Sequence, residues 1–207
     1  MPKKEAPLDS LKNYLPECTY LPVLHYLHHY KVHLTVSRAR KSVLGDYRHT
    51  TQNDNHRISV NGNLNKFAFL VTLLHELAHL VNFDQFGNKV APHGPEWKKN
   101  YGMLLKQFME HKIFPADIES ELLKSLHNPA ASSCAEEGLL RVLRRYDEEK
   151  KSVGKLIEEL PVNTSFKITD GRVFQKGKQL RKRFQCKELS TGKIYLFSPV
   201  YEVEIVS

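Results

Sequence analysis

One long helical pattern in the first half of the chain constrains its fold more than any other feature. Apolar residues recur there every three or four positions, which is the spacing of a helix with a buried face. They are Phe67, Leu70, Leu74, Leu77 and Val81. Asn63 or Asn65 can cap the beginning of this helix, and Gly87 marks its end. Polar residues interrupt the apolar pattern, so the helix is predicted to carry chemistry as well as core packing.

These polar residues are His75, Glu76 and His79. Residues four apart lie on the same face of a helix, so the two imidazoles can bind one ion. Zinc suits them, because it accepts neutral imidazole, and catalytic zinc sites use three protein ligands and leave a fourth position for water. Glu76 adjoins the first ligand and can take a proton from water whose pKa the ion lowers to about 7. The alternative, that both histidines are ordinary packed or surface residues, stays open at this point.

A third ligand is expected from the chain that follows the helix. His93 lies in a predicted loop, where Gly94 permits close approach of the backbone. Thirteen residues separate His79 from His93, too many for the metzincin pattern, in which the third histidine comes six positions after the second. The alternatives for the third ligand are Glu96, Asp84 and His111.

The residues around the helix predict a domain of mixed α and β structure. Alternating apolar residues predict one strand at 32–36 and another at 57–61, which we expect to pair as an antiparallel hairpin across the polar stretch 38–56. Helical spacing or helix-start signals predict four more helices. They cover Cys18 to Tyr30, Pro95 to about His111, Pro115 to the Asn128-Pro129 break, and a segment from the capping box Ser133 and Glu136 through Tyr146.

The last quarter of the chain has a different residue pattern. Short β-rich pieces are split by the turn signals Asp170-Gly171, Lys176-Gly177 and Thr191-Gly192. We therefore predict a basic, barrel-like all-β module at 162–207, which a linker at 147–161 joins to a domain at 1–146. The predicted fold class is α+β.

Two motifs in order resemble the SprT-like zinc metallopeptidases. The first is Leu73-Leu74-His75-Glu76-Leu77-Ala78-His79, and the second is His93-Gly94-Pro95-Glu96-Trp97. The resemblance covers roughly Cys18 to His127, and it implies a zincin-like peptidase domain at 1–146 with a small antiparallel sheet. It also implies one Zn²⁺ ion held by His75, His79 and His93, with Glu76 as general base for hydrolysis of a protein or peptide substrate. Many members end in a cysteine zinc ribbon, but only Cys186 stands in the corresponding tail here.

The residues leave two points of this function open. The donor that stabilises the oxyanion is not identified, and Tyr47, His49 and Tyr101 are candidates by residue type only. The alternative function is a non-catalytic protein or nucleic-acid binding module that keeps zinc to hold its fold. Glu76 favours the enzyme, because a descendant that had lost activity would be expected to lose this residue before its ligands.

Charge suggests an acidic partner. The chain has 31 basic and 23 acidic residues, and the segment 166–193 holds nine basic residues against Asp170 and Glu188. Phe174, Phe184 and Tyr195 lie among them. Basic residues with aromatics can bind nucleic acid, and since some SprT-like proteins act on proteins attached to DNA, the substrates can be nucleic-acid-associated. The competing interpretation is that the aromatics fill a β core and the charges form its solvated surface.

The remaining features favour a cytoplasmic protein. Residues 1–10 carry charges without the apolar run of a signal peptide, and no apolar stretch is long enough by this pattern to cross a membrane. Cys18, Cys134 and Cys186 contain no Cys-x-x-Cys pair, which argues against a disulfide framework. Cys134 and Cys186 are expected to be small buried residues. The oligomeric state is not predictable.

Overall fold

The computed structural model describes residues 7–40, 43–51, 55–126, 129, 136–147 and 154–206. The chain divides into two compact units, Met1–Tyr146 and Asp147–Ser207. The first unit contains a short 3-10 helix at Leu8–Asn13, followed by α1 (Tyr20–His29), β1 (His33–Ser37), β2 (Gly45–Arg48), β3 (Arg57–Asn61), α2 (Lys66–Phe86), α3 (Pro95–Glu110), α4 (Ala116–Ser125) and α5 (Glu137–Arg144). Helices and strands thus mix along the chain, as the predicted α+β class requires.

Helix α2 is the central element of the first unit, and its prediction is confirmed. The side chain of Asn65 accepts a hydrogen bond from the backbone N–H of Ala68 at 2.9 Å, which caps its beginning. Gly87 ends it with φ +58. By length and composition α2 could cross a membrane, but 72% of its most apolar window is buried inside the protein. It is therefore the core helix around which the other elements pack.

The three-stranded sheet differs from the prediction. β1 and β3 are parallel, with Leu34 opposite Ile58, and β2 pairs antiparallel with β3 to give the order β1-β3-β2. The expected antiparallel hairpin is therefore wrong, and the polar stretch 38–56 contains a strand. Alternation of apolar residues carries no information on strand direction. A connection of this length allows the crossover that parallel strands need, whereas an antiparallel hairpin needs only a short turn.

The other predicted helices are present in the described residues, with small differences at their ends. α1, α3 and α4 bury apolar residues in the same hydrophobic core as α2, among them Val23, Phe108 and Ile118. α5 begins at Glu137, and the side chain of its N-cap residue, Glu136, makes no capping hydrogen bond. Ser133, half of the predicted capping box, lies outside the described residues, as do Asn128 and Cys134.

The second unit is a six-stranded antiparallel sheet in the order β4-β9-β5-β6-β7-β8. Its elements are β4 (Lys155–Leu156), a 3-10 turn at Ile157–Glu159, β5 (Ser165–Lys167), β6 (Val173–Leu180), β7 (Arg183–Glu188), β8 (Ile194–Phe197) and β9 (Glu202–Ile205). Part of the predicted linker 147–161 is thus folded, because Leu156 and Ile157 are buried and β4 pairs with β9. Segment 147–161 contains too few apolar residues to give a periodic signal.

Candidate metal centre

Helix α2 presents three polar side chains at its middle, where the helix is most deeply buried. His75 and Glu76 are each only 4% exposed, and His79 is half-buried one turn later. The Nε2 atoms of the two histidines lie 3.3 Å apart. The i, i+4 spacing therefore does bring both imidazoles to one point.

The turn before α3 adds a third imidazole. The N–H of Gly94 donates to the carbonyl of Ala91 at 3.0 Å, and Pro95 then begins α3. A Cβ atom at Gly94 would lie 3.2 Å from that same carbonyl oxygen, which favours glycine in this tight turn. The ring of His93 consequently lies 4.6 Å from that of His79 and 5.5 Å from that of His75, centroid to centroid.

These three histidines form a group that could hold a metal ion. Their ligand atoms all lie within 4.8 Å of one another, and they form the one such group found in the described residues. Nε2 of His93 is buried and has no hydrogen-bond partner among those residues. The pKa of His75 falls to about 3 and that of His79 to about 4, mainly through burial and then through neighbouring histidines. Neutral imidazoles are the form that binds metals.

The alternative third ligands lie elsewhere. His111 caps the far end of α3, where its ring packs on Phe108. Asp84 lines a separate hollow with His56 and Tyr30. Glu96 is in the first turn of α3 and is not part of the three-histidine group.

One aromatic side chain supports all three imidazoles. Trp97 is fully buried, and its ring lies 4.7 Å from the ring of His75, 5.2 Å from that of His79 and 4.7 Å from that of His93. Tyr101 packs behind it at 5.1 Å. This support was not predicted from the sequence, in which Trp97 belongs to the second motif and Tyr101 is a candidate oxyanion donor.

The side chain of Glu76, a residue of α2, lies against strand β2. A Cβ atom at Gly45 would lie 2.5 Å from Oε1 of Glu76 and 2.8 Å from Cγ2 of Thr72, so β2 approaches α2 this closely only because residue 45 is glycine. Burial, with a smaller contribution from the charge of Asp46, raises the pKa of Glu76 to about 8, although the charge of Arg40 opposes the shift. A carboxylate with a pKa near neutrality can both accept and release a proton.

A cleft of about 770 Å³ opens over the histidines and Glu76. Strand β2, which was not predicted from the sequence, contributes Gly45, Asp46 and Tyr47 to the wall of this cleft. The hydroxyl of Tyr47 lies 2.9 Å from Nδ1 of His56, and its ring is parallel to that of His79. Burial raises the pKa of Tyr47, so its hydroxyl stays protonated.

Two of the three candidate oxyanion donors therefore face the cleft. They are Tyr47 and His49, and the ring of His49 stacks on Phe83 at 4.6 Å. Tyr101 is 5% exposed and packs against Trp97, and it is not among the residues that line the cleft.

Comparison with known proteins gives one result. The model of the SprT-like family matches residues 22–116, a range that includes the three strands β1 to β3, helices α2 and α3, the three histidines and Glu76. Neither the curated proteins nor the solved structures include a significant match to this chain. The resemblance seen in the two sequence motifs is thereby confirmed, and residues 22–116 constitute a SprT-like domain.

Proposed function

We propose that the SprT-like domain is a zinc-dependent peptidase in which His75, His79 and His93 hold one Zn²⁺ ion. The observation that carries the proposal is the convergence of three imidazoles on one point of the cleft that also contains Glu76. Tetrahedral zinc with bonds of about 2.0–2.1 Å places neighbouring ligand atoms roughly 3.4 Å apart. The Nε2 atoms of His75 and His79 are 3.3 Å apart, and the buried, unpartnered Nε2 of His93 is available for a third bond.

A zinc ion bound there would supply a Lewis acid for the scissile carbonyl and lower the pKa of water in the cleft. Glu76 is the general base of the proposed reaction. Its carboxylate accepts a proton as a water oxygen bonds to the carbonyl carbon, and it then donates that proton to the amide nitrogen as the carbon–nitrogen bond breaks. Burial raises the pKa of Glu76 in the metal-free site, and the positive charge of a bound zinc ion would favour the carboxylate form that a general base needs.

Tyr47 is our proposed donor to the developing oxyanion. It lines the cleft from the strand opposite α2, and its phenol is protonated at neutral pH because burial raises its pKa. In the tautomer of His56 that carries its proton on Nδ1, the imidazole donates to the phenol oxygen of Tyr47 and leaves the phenol hydrogen for the oxyanion, with the Tyr47 ring parallel to that of His79. A pre-oriented donor of this kind stabilises negative charge more than solvent does.

The test is the variant Glu76→Gln, measured for zinc content and for cleavage of casein. We expect wild-type protein and E76Q to bind about one zinc per chain, with turnover lost in E76Q by at least about 100-fold, the scale of general acid–base catalysis. His93→Ala should lower zinc content, whereas the control Glu96→Gln, which lies outside the three-histidine group, should change neither property.

The competing function is a non-catalytic module whose zinc only stabilises the fold. That function predicts full zinc binding without measurable cleavage by the wild-type protein. Cleavage by E76Q at the wild-type rate would instead rule out Glu76 as the base.

A further inference from the structure

A second hollow opens directly beside the metal centre. It has a volume of about 640 Å³, and His93 lines both this hollow and the cleft. Its other lining residues include Lys98, Lys99, Met103 and Lys106 of α3, and none of the described lining residues is acidic. We call this hollow the basic groove.

The three lysines follow one stretch of α3. Lys98 and Lys106 are eight positions apart, which corresponds to about 12 Å along a helix. Lys99 and Lys106 are exposed, and Met103 between them is 56% exposed. Where α3 meets the end of α4, a Cβ atom at Gly102 would lie 2.7 Å from the carbonyl oxygen of Leu126. The groove therefore combines cationic side chains with an apolar surface on a rigid, closely packed helix.

The charge of the basic groove differs from that of the adjoining cleft. The cleft contains the carboxyl groups of Glu76 and Asp46, whereas the groove contains lysines. A ligand that extends from one into the other thus encounters positive potential on one side of the metal centre only. Such a field selects partners by charge and is weakened by salt.

We propose that the basic groove binds acidic side chains of the polypeptide substrate, on one side of the bond that is cleaved. This proposal rests on the proposed peptidase function and adds a substrate class to it. Because the cleft and the groove share His93, one extended chain can pass through both. An extended chain advances about 3.3 Å per residue, so 12 Å of groove contacts about four residues. Asp or Glu within about five residues of the scissile bond is therefore favoured.

The lining of the groove favours a polypeptide over nucleic acid. Sites for single-stranded nucleic acid combine positive charge with aromatic rings on which bases stack. Apart from the imidazole of His93, the described lining of this groove has no aromatic ring and instead has the apolar side chains of Pro95, Met103 and Leu126. These suit the aliphatic parts of a peptide chain.

The experiment compares two labelled peptides of about twelve residues, identical except that Glu at three consecutive positions in one is Gln in the other. Binding of each peptide to zinc-loaded E76Q protein is measured by fluorescence anisotropy, and cleavage of each peptide is measured with the wild-type protein. We expect the Glu peptide to bind about fivefold more tightly at low salt, the scale of a few exposed ion pairs. In K99E/K106E this preference should disappear. The control K66E/K155E changes two exposed lysines outside the cleft and the groove, alters net charge equally and should keep the preference.

Equal binding of the two peptides by the unsubstituted groove would overturn the proposal. A K99E/K106E protein that keeps the preference for the Glu peptide would also overturn it. If K99E/K106E instead loses only its affinity for a single-stranded oligothymidine, the groove is a nucleic-acid site and the proposal is wrong. Selective binding without cleavage by the wild-type protein would support the proposed role of the basic groove and contradict the peptidase function. Cleavage without selectivity would support the peptidase function and contradict the role of the groove.

Discussion

Gly45 is the residue whose small size most directly shapes the candidate site. Strand β2 passes the carboxylate of Glu76 at a distance that leaves no room for a methyl group at residue 45. Nothing in the sequence indicates this, because Gly45-Asp46 looks like an ordinary turn in a polar stretch. The predicted ligands were accessible to sequence reasoning because helical spacing fixes His75 and His79, whereas Gly45 acts through a contact between distant segments.

Replacement of Gly45 by alanine should therefore affect stability and activity together. The added methyl group must displace Glu76 or Thr72, and overpacking of this kind costs about 1–3 kcal/mol of unfolding free energy. We expect lower turnover with zinc binding retained. Urea denaturation of G45A, E76A and the double variant measures the coupling. If the cost of G45A is the same in the E76A background, Glu76 is not the group that it displaces.

Trp97 gives the candidate metal centre an intrinsic fluorescent reporter. It is the one tryptophan of the chain, and its ring contacts all three histidines. We expect addition of Co²⁺ to metal-free protein to quench its fluorescence, because the ion would bind within a few ångströms of the indole. His93→Ala should weaken this response, and a chelator should reverse it. Unchanged emission upon stoichiometric Co²⁺ binding would place the metal elsewhere.

At the scale of elements, periodicity predicted the helices, and it failed where the fold depends on pairing. The bounds of α2 follow from its apolar spacing, Asn65 and Gly87, all of which are local in sequence. The direction of β1 relative to β3 and the existence of β2 depend on residues far apart in sequence. Strand β2 has four residues and one glycine, so no alternation indicates it. This is why the part of the cleft wall that β2 forms could not be foreseen.

Asn65 connects two elements as well as capping one. Its side-chain oxygen accepts from Ala68, and its Nδ2 donates to the carbonyl of Leu143 in α5 at 2.9 Å. Asn65→Ala should lower the free energy of unfolding by about 2 kcal/mol, of which the cap contributes about half. Asn65→Ser keeps a capping oxygen but is too short to replace the amide, so we expect about half of that loss. Urea denaturation curves give both values, and equal losses would mean that capping contributes nothing.

At the scale of the whole molecule, segment 166–193 of the second unit carries nine basic residues against two acidic ones, and the three phenylalanines within it are buried. Phe174 and Phe184 are buried in the core of that unit. Tyr195 is half-buried, and the guanidinium of Arg172 lies 5.4 Å from its ring centroid. Lys176 is also buried. Phe174 and Phe184 therefore fill the core of the second unit, as one of the two interpretations predicts, and of the three aromatics only Tyr195 is partly exposed.

We therefore propose that nucleic acid, if bound by the second unit, is held through its phosphates alone. The exposed basic residues of segment 166–193 are Lys167, Arg172, Lys178, Arg181, Lys182, Arg183, Lys187 and Lys193, of which Arg172 is paired with Asp170. Neutralisation of three or four phosphates would give a slope of roughly −3 for log affinity against log salt concentration. Oligothymidine and oligoadenosine should bind equally, because contacts to phosphates alone do not distinguish one base from another. K178E/K182E should bind less tightly than K66E/K89E, which changes two exposed lysines of the first unit and has the same net charge. Affinity that is insensitive to salt, or equal in these two variants, would remove the second unit as a nucleic-acid site and leave its charges as a solvated surface.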